Sequence, residues 1–332
     1  MPDITAFRAL RIERSGDTFV RRVEQVPFDT LPEHDLTVRV AYSSLNYKDA
    51  LSATGNPGVS KTYPHTPGID AAGTVVASRD PRFKLGDEVI VTSYDLGMNT
   101  AGGFGEFIRV PADWTLPLPR GLSLREAMVL GTAGLTAGLC LEALLAHGLE
   151  PNTGPVVVTG ASGGVGSVAV ALLAKLGFEV WAITGTKGAH GWLRELGASE
   201  IMPREALDEP AERPLLKAQF AGGIDTVGGE PLSSLVKSLK YRASVAACGL
   251  VAGPQLALTV FPFILRGVNL LGIDSAQCPM ALRRAVWEKL AGPWRVDLSS
   301  VTREATLFEL SPVIDEMLLG RTQGRVLVRV AD

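Results

Sequence analysis

Hydrophobic and polar positions follow two different rhythms along the chain. Up to about residue 125, Gly and Pro separate short apolar runs, which predicts β-strands joined by turns. From about residue 126, short apolar runs alternate with longer runs of helical period, which predicts a parallel sheet covered by helices on both faces. The predicted strands of the first part are 36–42, 71–78, 87–93 and 106–111. Those of the second part are 155–160, 179–184, 224–229, 243–249 and 269–275, with helices at 127–148, 167–177, 187–198 and 231–240.

This change of rhythm divides the chain of 332 residues into two predicted domains. Residues 1–125 are predicted to form a β-rich domain and residues 126–276 a parallel α/β domain. The tail at 323–332 returns to a strand pattern, so residues 277–332 are predicted to complete the first domain. A chain of this length can bury a separate core in each domain.

The composition is that of an ordinary globular protein, with 46% hydrophobic and 20% charged residues. A net charge of −3 predicts no broad attraction to nucleic acid or to an anionic membrane. No apolar run is expected to span a membrane, and the N-terminus is too charged for a signal peptide. The 3 cysteines, Cys140, Cys248 and Cys278, are too widely spaced for a disulfide framework, which favours a reducing cytoplasm.

A glycine-rich loop, ASGGVG at 161–166, lies between a predicted strand and a predicted helix. Glycine there permits a tight turn and lets the backbone approach a pyrophosphate, while the helix N-terminus supplies N–H donors. The alternative is a packing turn without a ligand, but the strand–loop–helix context favours a dinucleotide.

The next predicted strand ends at Thr184-Gly185-Thr186-Lys187, where an NAD-binding protein usually has an acidic residue for the ribose. Hydroxyls and a cation suit a 2′-phosphate, and Arg204 after the following strand could add a second cation. NADPH is therefore the favoured cofactor. The alternative is that Lys187 and Arg204 are ordinary surface charges.

Four polar residues, Asn46-Tyr47-Lys48-Asp49, follow the strand at 36–42 and begin a predicted helix. Asn46 is a favourable N-cap, and Asp49 at the third helical position resembles the acid of a capping box. Capping explains Asn46 and Asp49 but leaves Tyr47 unexplained, so the junction is also a candidate for chemistry.

Several motifs together resemble the medium-chain dehydrogenase/reductase superfamily over essentially the whole chain. They are PGIDAAGTV (67–75), GDEVIV (86–91), GTAGLTA (131–137) and GASGGVG (160–166). The resemblance implies an α/β fold in which a partly open, GroES-like β-barrel forms the catalytic domain. A Rossmann domain with a doubly wound parallel sheet stands beside it, and the active site is expected between the two.

Zinc-dependent members of that superfamily differ from this chain at their ligands. Their first Cys ligand falls at Asn46, and their Gly-His-Glu falls at Gly68-Ile69-Asp70. The four closely spaced cysteines of the structural zinc site are missing, and the 4 histidines are scattered. Zinc needs three or four converging ligands, so no metal is expected, as in the quinone-reductase branch.

Within that branch, further segments resemble the bacterial acryloyl-CoA reductases. They are SSLNYKDAL (43–51), DPRF (80–83), IDTVGG (224–229), ACGLVAG (247–253), PFILRGVNLLGIDS (262–275) and QGR (323–325). The resemblance implies reduction of the C=C bond of acryloyl-CoA by NADPH, with hydride transfer to the β-carbon and protonation of the α-carbon. The alternatives are a reductase of quinones or small enones and, in another class, a non-catalytic NADPH sensor.

The residue patterns and the resemblance together give the expected residues of the site. Tyr47 is expected to face the nicotinamide, with Asn46 and Asp49 as further catalytic candidates. Asp49 could donate a proton only if burial raised its pKa well above about 4. Expected cofactor contacts are Tyr47, Thr132, Ser162, Gly163, Gly164, Val165, Thr184, Gly185, Thr186, Lys187, Arg204, Leu250, Ile264 and Ser275.

Binding of the CoA tail and self-association complete the expectations. Lys61, Arg82 and Arg325 are candidates for the tail, with surface solvation as the alternative for each. A homodimer is expected through the strand at 269–275. Thr186 stands where subfamily members often have Arg, which weakens the expected NADPH selectivity. Gly320-Arg321 stands where an amide side chain is expected.

Overall fold

Two different sheets divide the chain into two units. A computed structural model describes residues 4–207 and 213–331. The first unit comprises the chain up to Thr132, Ala276–Ala291 and the residues from Thr302 onward. The second comprises Ala133–Ser275 and Gly292–Val301.

The secondary structure is as follows. The strands are β1 (Ala6–Ser15), β2 (Thr18–Pro27), β3 (Leu36–Leu45), β4 (Asp70–Ser78), β5 (Glu88–Thr92), β6 (Phe107–Val110), β7 (Thr115–Pro117), β8 (Val156–Thr159), β9 (Val180–Ile183), β10 (Glu200–Met202), β11 (Phe220–Asp225), β12 (Leu239–Ala247), β13 (Asn269–Gly272), β14 (Thr302–Thr306) and β15 (Arg325–Arg329). The helices are α1 (Tyr47–Ser52), α2 (Leu124–Ala146), α3 (Gly164–Lys175), α4 (His190–Glu195), α5 (Gly229–Lys237), α6 (Phe261–Arg266), α7 (Met280–Ala291) and α8 (Leu310–Leu318).

The first unit is built on a sheet with the strand order β14-β15-β3-β4-β5-β7, in which β6 also pairs with β3. The tail returns to this unit as predicted, because β15 pairs antiparallel with β3 and Val326 lies opposite Leu45. Strand β3 runs three residues beyond the predicted end at Tyr42, through Ser43, Ser44 and Leu45, all of which are buried. Its extension places two serine hydroxyls inside the unit.

The second unit is a six-stranded parallel sheet with the order β10-β9-β8-β11-β12-β13. Numbered within the unit, this is the order 3-2-1-4-5-6 of a doubly wound dinucleotide-binding fold. The order in which the chain adds strands to the sheet reverses between β8 and β11. Val156, Val157 and Val158 of β8 are fully buried, as expected for a central strand covered on both faces.

Some predicted boundaries differ from the structure. The strand predicted at 224–229 ends at Asp225, because Gly228 and Gly229 have positive φ angles of 69° and 58° that no strand accommodates. The helix predicted at 187–198 is a short 3-10 turn followed by α4 at 190–195. The unit boundary lies at 132/133 rather than 125/126, since Thr132 is hydrogen-bonded to Asp70 of the first unit.

Helix α2 corrects one expectation about membranes. By length and composition alone it is apolar enough to cross a membrane, contrary to the expectation that no run reaches that length. However, 78% of its most apolar window is buried in the fold, and Gly131 interrupts it with φ 53° and ψ −154°. Burial and interruption are typical of a core helix rather than a spanning one.

Candidate active site

Charged side chains are buried where β3 meets α1 in the first unit. Asp49 and Asp70 are fully buried, and Arg325 of β15 is only 2% exposed. Side chains of this kind are almost never fully buried unless they are paired. Their hydrogen bonds therefore show what the sequence has placed at this junction.

Asp70 is the centre of this buried group. Its carboxylate accepts hydrogen bonds from Ser44 Oγ at 2.6 Å, Asn46 Nδ2 at 2.8 Å and Thr132 Oγ1 at 2.6 Å. The backbone N–H of Thr132 also donates to it, at 2.9 Å. Such short bonds from hydroxyl groups are typical of a carboxylate that only accepts.

Asp49 completes the capping box that the sequence predicts. Its Oδ2 accepts the backbone N–H of Asn46 at 2.8 Å, while its Oδ1 accepts those of Ile69 at 2.8 Å and Gly68 at 3.1 Å. Burial, and then the charge of Asp70, raise the pKa of Asp49 to about 7, although these N–H donors lower it. The pKa condition for a proton donor is met, but both carboxyl oxygens hold backbone N–H groups of the same unit.

Arg325 lies inside the group rather than on the surface. Its Nε donates to the Val129 carbonyl at 2.7 Å and its Nη1 to Asn46 Oδ1 at 3.4 Å. Burial lowers the pKa of Arg325, while the charges of Asp70 and Asp49 act in the opposite direction. The suggestion that Arg325 meets a CoA tail is therefore wrong, because the side chain is enclosed.

Gly131, in the interruption of α2, fits closely against this group. A Cβ atom there would collide with Ser44 Oγ, and would lie 2.5 Å from Asp70 Oδ2 and 3.1 Å from Arg325 Nη2. Its φ of 53° is also a conformation that L side chains rarely adopt. Both constraints explain why glycine occupies this position.

The other two candidates for the CoA tail differ from each other. The guanidinium of Arg82 donates hydrogen bonds from Nη2 to Asp80 Oδ2 at 2.8 Å and to Asp113 Oδ1 at 2.7 Å, so it already has partners. Lys61 is exposed and so remains a candidate.

Tyr47 differs from its two neighbours in the candidate set. Its side chain is 44% exposed, and its hydroxyl has no hydrogen bond to the described residues. The Asn46 amide, by contrast, is directed inward: Nδ2 reaches Asp70 and the Ser44 carbonyl, the latter at 3.2 Å. Of the three catalytic candidates, Tyr47 presents its polar atom for contacts outside this group.

The glycine-rich loop of the second unit has the geometry of a pyrophosphate site. Gly160 makes the turn after β8 with φ 59°, and a Cβ at Gly166 would collide with the Gly160 carbonyl. Helix α3 begins at Gly164, and its N-cap, Gly163, provides no side-chain hydrogen bond. The first N–H groups of α3 are therefore open to an anionic ligand.

The predicted ribose end forms a second polar group in the same unit. Thr184 Oγ1 donates to Ser162 Oγ at 2.8 Å, and Ser162 Oγ donates to Thr186 Oγ1 at 3.3 Å. Arg204 packs over Gly185, where a Cβ would lie 2.9 Å from its Nε. Hydroxyls and a guanidinium thus lie near Gly185, and groups of these types suit a 2′-phosphate.

The remaining predicted cofactor contacts do not join this polar group through any described hydrogen bond. Lys187, Leu250 and Ile264 are exposed, and Ser275 Oγ accepts from Thr136 Oγ1 at 2.8 Å. Tyr47 and Thr132 belong to the first unit.

Three residues that organise these sites were not predicted from the sequence. Asp70 and Arg325 were considered only as a zinc-ligand position and a tail contact. Asp225, at the end of β11, accepts Thr159 Oγ1 and the Gly228 N–H, both at 2.7 Å, beside the glycine loop. Sequence patterning placed Asp225 inside the predicted strand at 224–229, and this position did not reveal its partners.

Comparison with known proteins connects these features to a family. An alcohol dehydrogenase GroES-like domain matches residues 32–120, and a zinc-binding dehydrogenase domain matches residues 164–291. The acrylyl-CoA reductase AcuI of Ruegeria pomeroyi is 48% identical over 319 residues, which cover 96% of each chain. The chain belongs to the medium-chain dehydrogenase/reductases. Within them it is an oxidoreductase of the zinc-free, quinone-oxidoreductase-like branch, in the acryloyl-CoA reductase subfamily.

Two solved structures confirm the predicted combination of a GroES-like barrel and a Rossmann domain. The YhdH oxidoreductase of Salmonella enterica in complex with NADP is 46% identical, with a TM-score of 0.94 over 98% of this chain and 100% of that one. The YhfP protein of Bacillus subtilis with NAD bound is 47% identical, with a TM-score of 0.95 over the same shares, 98% and 100%. These relatives were thus solved with different nicotinamide cofactors.

Zinc, to which the second family description refers, does not fit the residues of this chain. The Asn46 amide and the Asp70 carboxylate are hydrogen-bonded to each other at 2.8 Å. Among residues 4–207 and 213–331, no group of three or more His, Cys, Asp or Glu side chains could hold a metal ion.

Proposed function

We propose that this oxidoreductase uses NADPH to reduce the activated C=C bond of acryloyl-CoA, which yields propanoyl-CoA. The observation that carries the choice of acceptor is the 48% identity to the acrylyl-CoA reductase of Ruegeria pomeroyi over 96% of both chains. An acceptor of this type needs orientation and charge stabilisation from the protein but no protein nucleophile. The described polar groups are of the kind that such chemistry requires.

In this proposal the second unit holds the cofactor. The open N–H groups at the start of α3 bind the pyrophosphate. Thr186, Lys187 and Arg204 bind the 2′-phosphate, with Ser162 and Thr184 orienting the threonine hydroxyl. When bound, NADPH supplies the hydride that adds to the β-carbon of the acceptor.

Tyr47 is the proposed donor to the developing enolate. Hydride addition places negative charge on the thioester oxygen, and a phenol can donate a hydrogen bond to it without losing its proton. The capping box fixes the first turn of α1, since the Asp49 carboxylate holds the Asn46 N–H at 2.8 Å. Asn46 and Asp49 are therefore proposed to aim Tyr47 rather than to contact the acceptor.

The first test compares acceptors. Initial rates of NADPH oxidation are measured with acryloyl-CoA and with 1,4-benzoquinone, and each is repeated with NADH. The proposal predicts the highest kcat/KM for acryloyl-CoA with NADPH. A higher value for the quinone would instead support a reductase of quinones or enones. Tight NADPH binding without turnover of either acceptor would support a sensor.

A tyrosine substitution tests the enolate donor. Tyr47→Phe is expected to lower kcat by on the order of 100-fold, the usual loss for one oxyanion donor. Tyr241→Phe is the matched control, because Tyr241 is 73% exposed in the other unit. Unchanged turnover of Tyr47→Phe at saturating acceptor would eliminate a catalytic hydroxyl.

We also propose a homodimer and a cytoplasmic location. Strand β13 ends the parallel sheet, so its outer edge offers backbone groups to a second copy. The three cysteines are free thiols, which suits a reducing compartment. Light scattering tests the assembly: Leu271→Pro is expected to shift the particle from dimer to monomer mass, and an unshifted mass would contradict pairing through β13.

A further inference from the structure

Two half-buried polar side chains of the first unit, Asn46 and Thr132, are both held by the buried carboxylate of Asp70, and the buried guanidinium of Arg325 contacts Asn46. Asp70 accepts from Asn46 Nδ2 at 2.8 Å and from Thr132 Oγ1 at 2.6 Å. Arg325 approaches the other end of the Asn46 amide, with Nη1 3.4 Å from Oδ1. Asp70 and Arg325 thus contact opposite ends of the Asn46 side chain.

Hydrogen-bond roles leave Asn46 one orientation. Its Nδ2 faces a carboxylate and the Ser44 carbonyl, both of which only accept, while its Oδ1 faces a guanidinium, which only donates. Rotating the amide by half a turn would oppose donor to donor and acceptor to acceptor. Asp70 and Arg325 together therefore fix the residue that immediately precedes Tyr47.

Thr132 is fixed in the same manner. Its single hydroxyl proton is directed at Asp70, so the contact of 2.8 Å with Ser93 Oγ is donated by Ser93. Its backbone N–H donates to Asp70 as well. The Asp70 carboxylate thereby sets the direction of hydrogen-bond donation, from Ser93 to Thr132 and from Thr132 to Asp70.

Stability alone does not explain this arrangement. Apolar residues of similar volume generally stabilise a core as well as buried charged side chains do, or better. Within the described part of the chain, moreover, Arg325 Nη2 is buried without a hydrogen-bond partner. Such a group is expensive to bury, so it does not favour a purely stabilising role for Arg325.

We propose that Asp70 and Arg325 are positioning residues of the reductase, which set the orientation of Asn46 and Thr132 and, through Asn46, that of Tyr47. This inference rests on the proposed function, since it assigns the pair a task in the same reaction. Arg325 acts at a distance from the acceptor: it orients Asn46, and Asn46 begins the helix that carries Tyr47.

The test is a double-mutant cycle between Arg325 and Tyr47. Arg325→Met removes the guanidinium but keeps a long side chain, and it is expected to lower kcat by about 10-fold to 100-fold through misplacement of Tyr47. If Arg325 acts through the tyrosine hydroxyl, the double variant Arg325→Met with Tyr47→Phe is no slower than Tyr47→Phe alone. Multiplied losses would overturn the proposal.

Controls separate positioning from folding. Arg329→Met removes a charge from the same strand, β15, at a side chain that is 40% exposed, and it should leave kcat unchanged. NADPH affinity, measured by fluorescence titration, should stay within about 2-fold in all variants, because the proposed pyrophosphate and 2′-phosphate contacts lie in the other unit. A lowered Tm with unchanged kcat for Arg325→Met would show a structural role only and would overturn the proposal.

A second variant keeps the test usable if Arg325→Met does not fold. Arg325→Lys keeps the charge but cannot reach the Val129 carbonyl and Asn46 together, so an intermediate loss of kcat is expected. Full wild-type turnover of Arg325→Lys would contradict the need for the guanidinium. If the wild type reduced 1,4-benzoquinone but not acryloyl-CoA, the proposed acceptor would fail, and the same cycle on the quinone would still decide the positioning role.

Discussion

Replacing Gly131 by alanine tests the close fit around Asp70 more directly than any other single change. The added Cβ would collide with Ser44 Oγ, and would lie 2.5 Å from Asp70 Oδ2 and 3.1 Å from Arg325 Nη2. The first two atoms belong to a hydrogen bond of 2.6 Å between buried groups, so they have little freedom to retreat. The variant must move either the interruption of α2 or the carboxylate.

The expected cost combines two contributions. An alanine at φ 53° and ψ −154° occupies a backbone region that is essentially restricted to glycine, at about 1–3 kcal/mol. Forcing an extra methyl group into a packed interior adds about 1–3 kcal/mol. Together they predict a loss of about 2–6 kcal/mol, and each kcal/mol lowers the Tm of a domain of this size by about 2–4 °C.

Thermal unfolding with a matched glycine provides the assay. Gly320 belongs to the same unit and has φ 67°, but a Cβ there would meet nothing within 4 Å. Gly320→Ala therefore carries only the backbone cost of a left-handed residue, about 1 kcal/mol. Calorimetry should give Gly131→Ala the lower Tm by several degrees, with a loss of turnover. Equal Tm values for the two variants would refute the reasoning about the Asp70 group.

The remaining predictions concern the cofactor, the pH dependence, the core and the metal. Arg204→Ala should raise the KM for NADPH on the order of 10-fold while leaving the KM for NADH unchanged, since one cation of the 2′-phosphate site is lost; steady-state kinetics in which both values rise together would contradict that site. Asp49 has a pKa of about 7 in the folded chain, against an ordinary 3.8, so its contribution to stability is present below about pH 4 and is lost as pH rises towards 7. Asp49→Asn should therefore remove this loss of unfolding free energy, which is at most about 1.4 kcal/mol per pH unit. Identical slopes of Tm against pH for the wild type and the variant would show that Asp49 does not titrate in this range. Leu235→Ala should lower the free energy of unfolding by about 2–5 kcal/mol, because Leu235 is fully buried in the second unit. A loss below about 1 kcal/mol in urea denaturation would mean that neighbouring side chains fill the cavity left by the substitution. Dialysis against a chelator should leave turnover unchanged, and a loss that zinc restores would contradict a metal-free site.

The second unit was the easier one to predict from the sequence. Its central strands β8 and β11 are fully buried and helices separate its strands, so short apolar runs alternate with longer runs of helical period. The glycine loop was recognisable because all its determinants lie within 160–166. The extra turn at Gly228 and Gly229 was missed, because IDTVGG continues an apolar run without a change of period.

The candidate site divides in the same way between local and distant determinants. The capping box was predictable, because Asn46 and Asp49 are three residues apart on one helix. The Asp70 group was not, because Ser44, Asp70, Thr132 and Arg325 come from four separate segments. The pairing of β15 with β3 and β14 carries Arg325 into the unit, and a hydrophobic pattern contains no information about which charged residue is enclosed.

Transfer of a labelled hydride tests the central claim most directly. NADPH deuterated at both C4 positions is mixed with acryloyl-CoA and the protein in ordinary water, and the CoA product is examined by mass spectrometry and NMR. We expect propanoyl-CoA with one deuterium, located on the β-carbon, and an unlabelled proton at the α-carbon. Deuterium on the α-carbon, or consumption of NADPH without propanoyl-CoA, would contradict it.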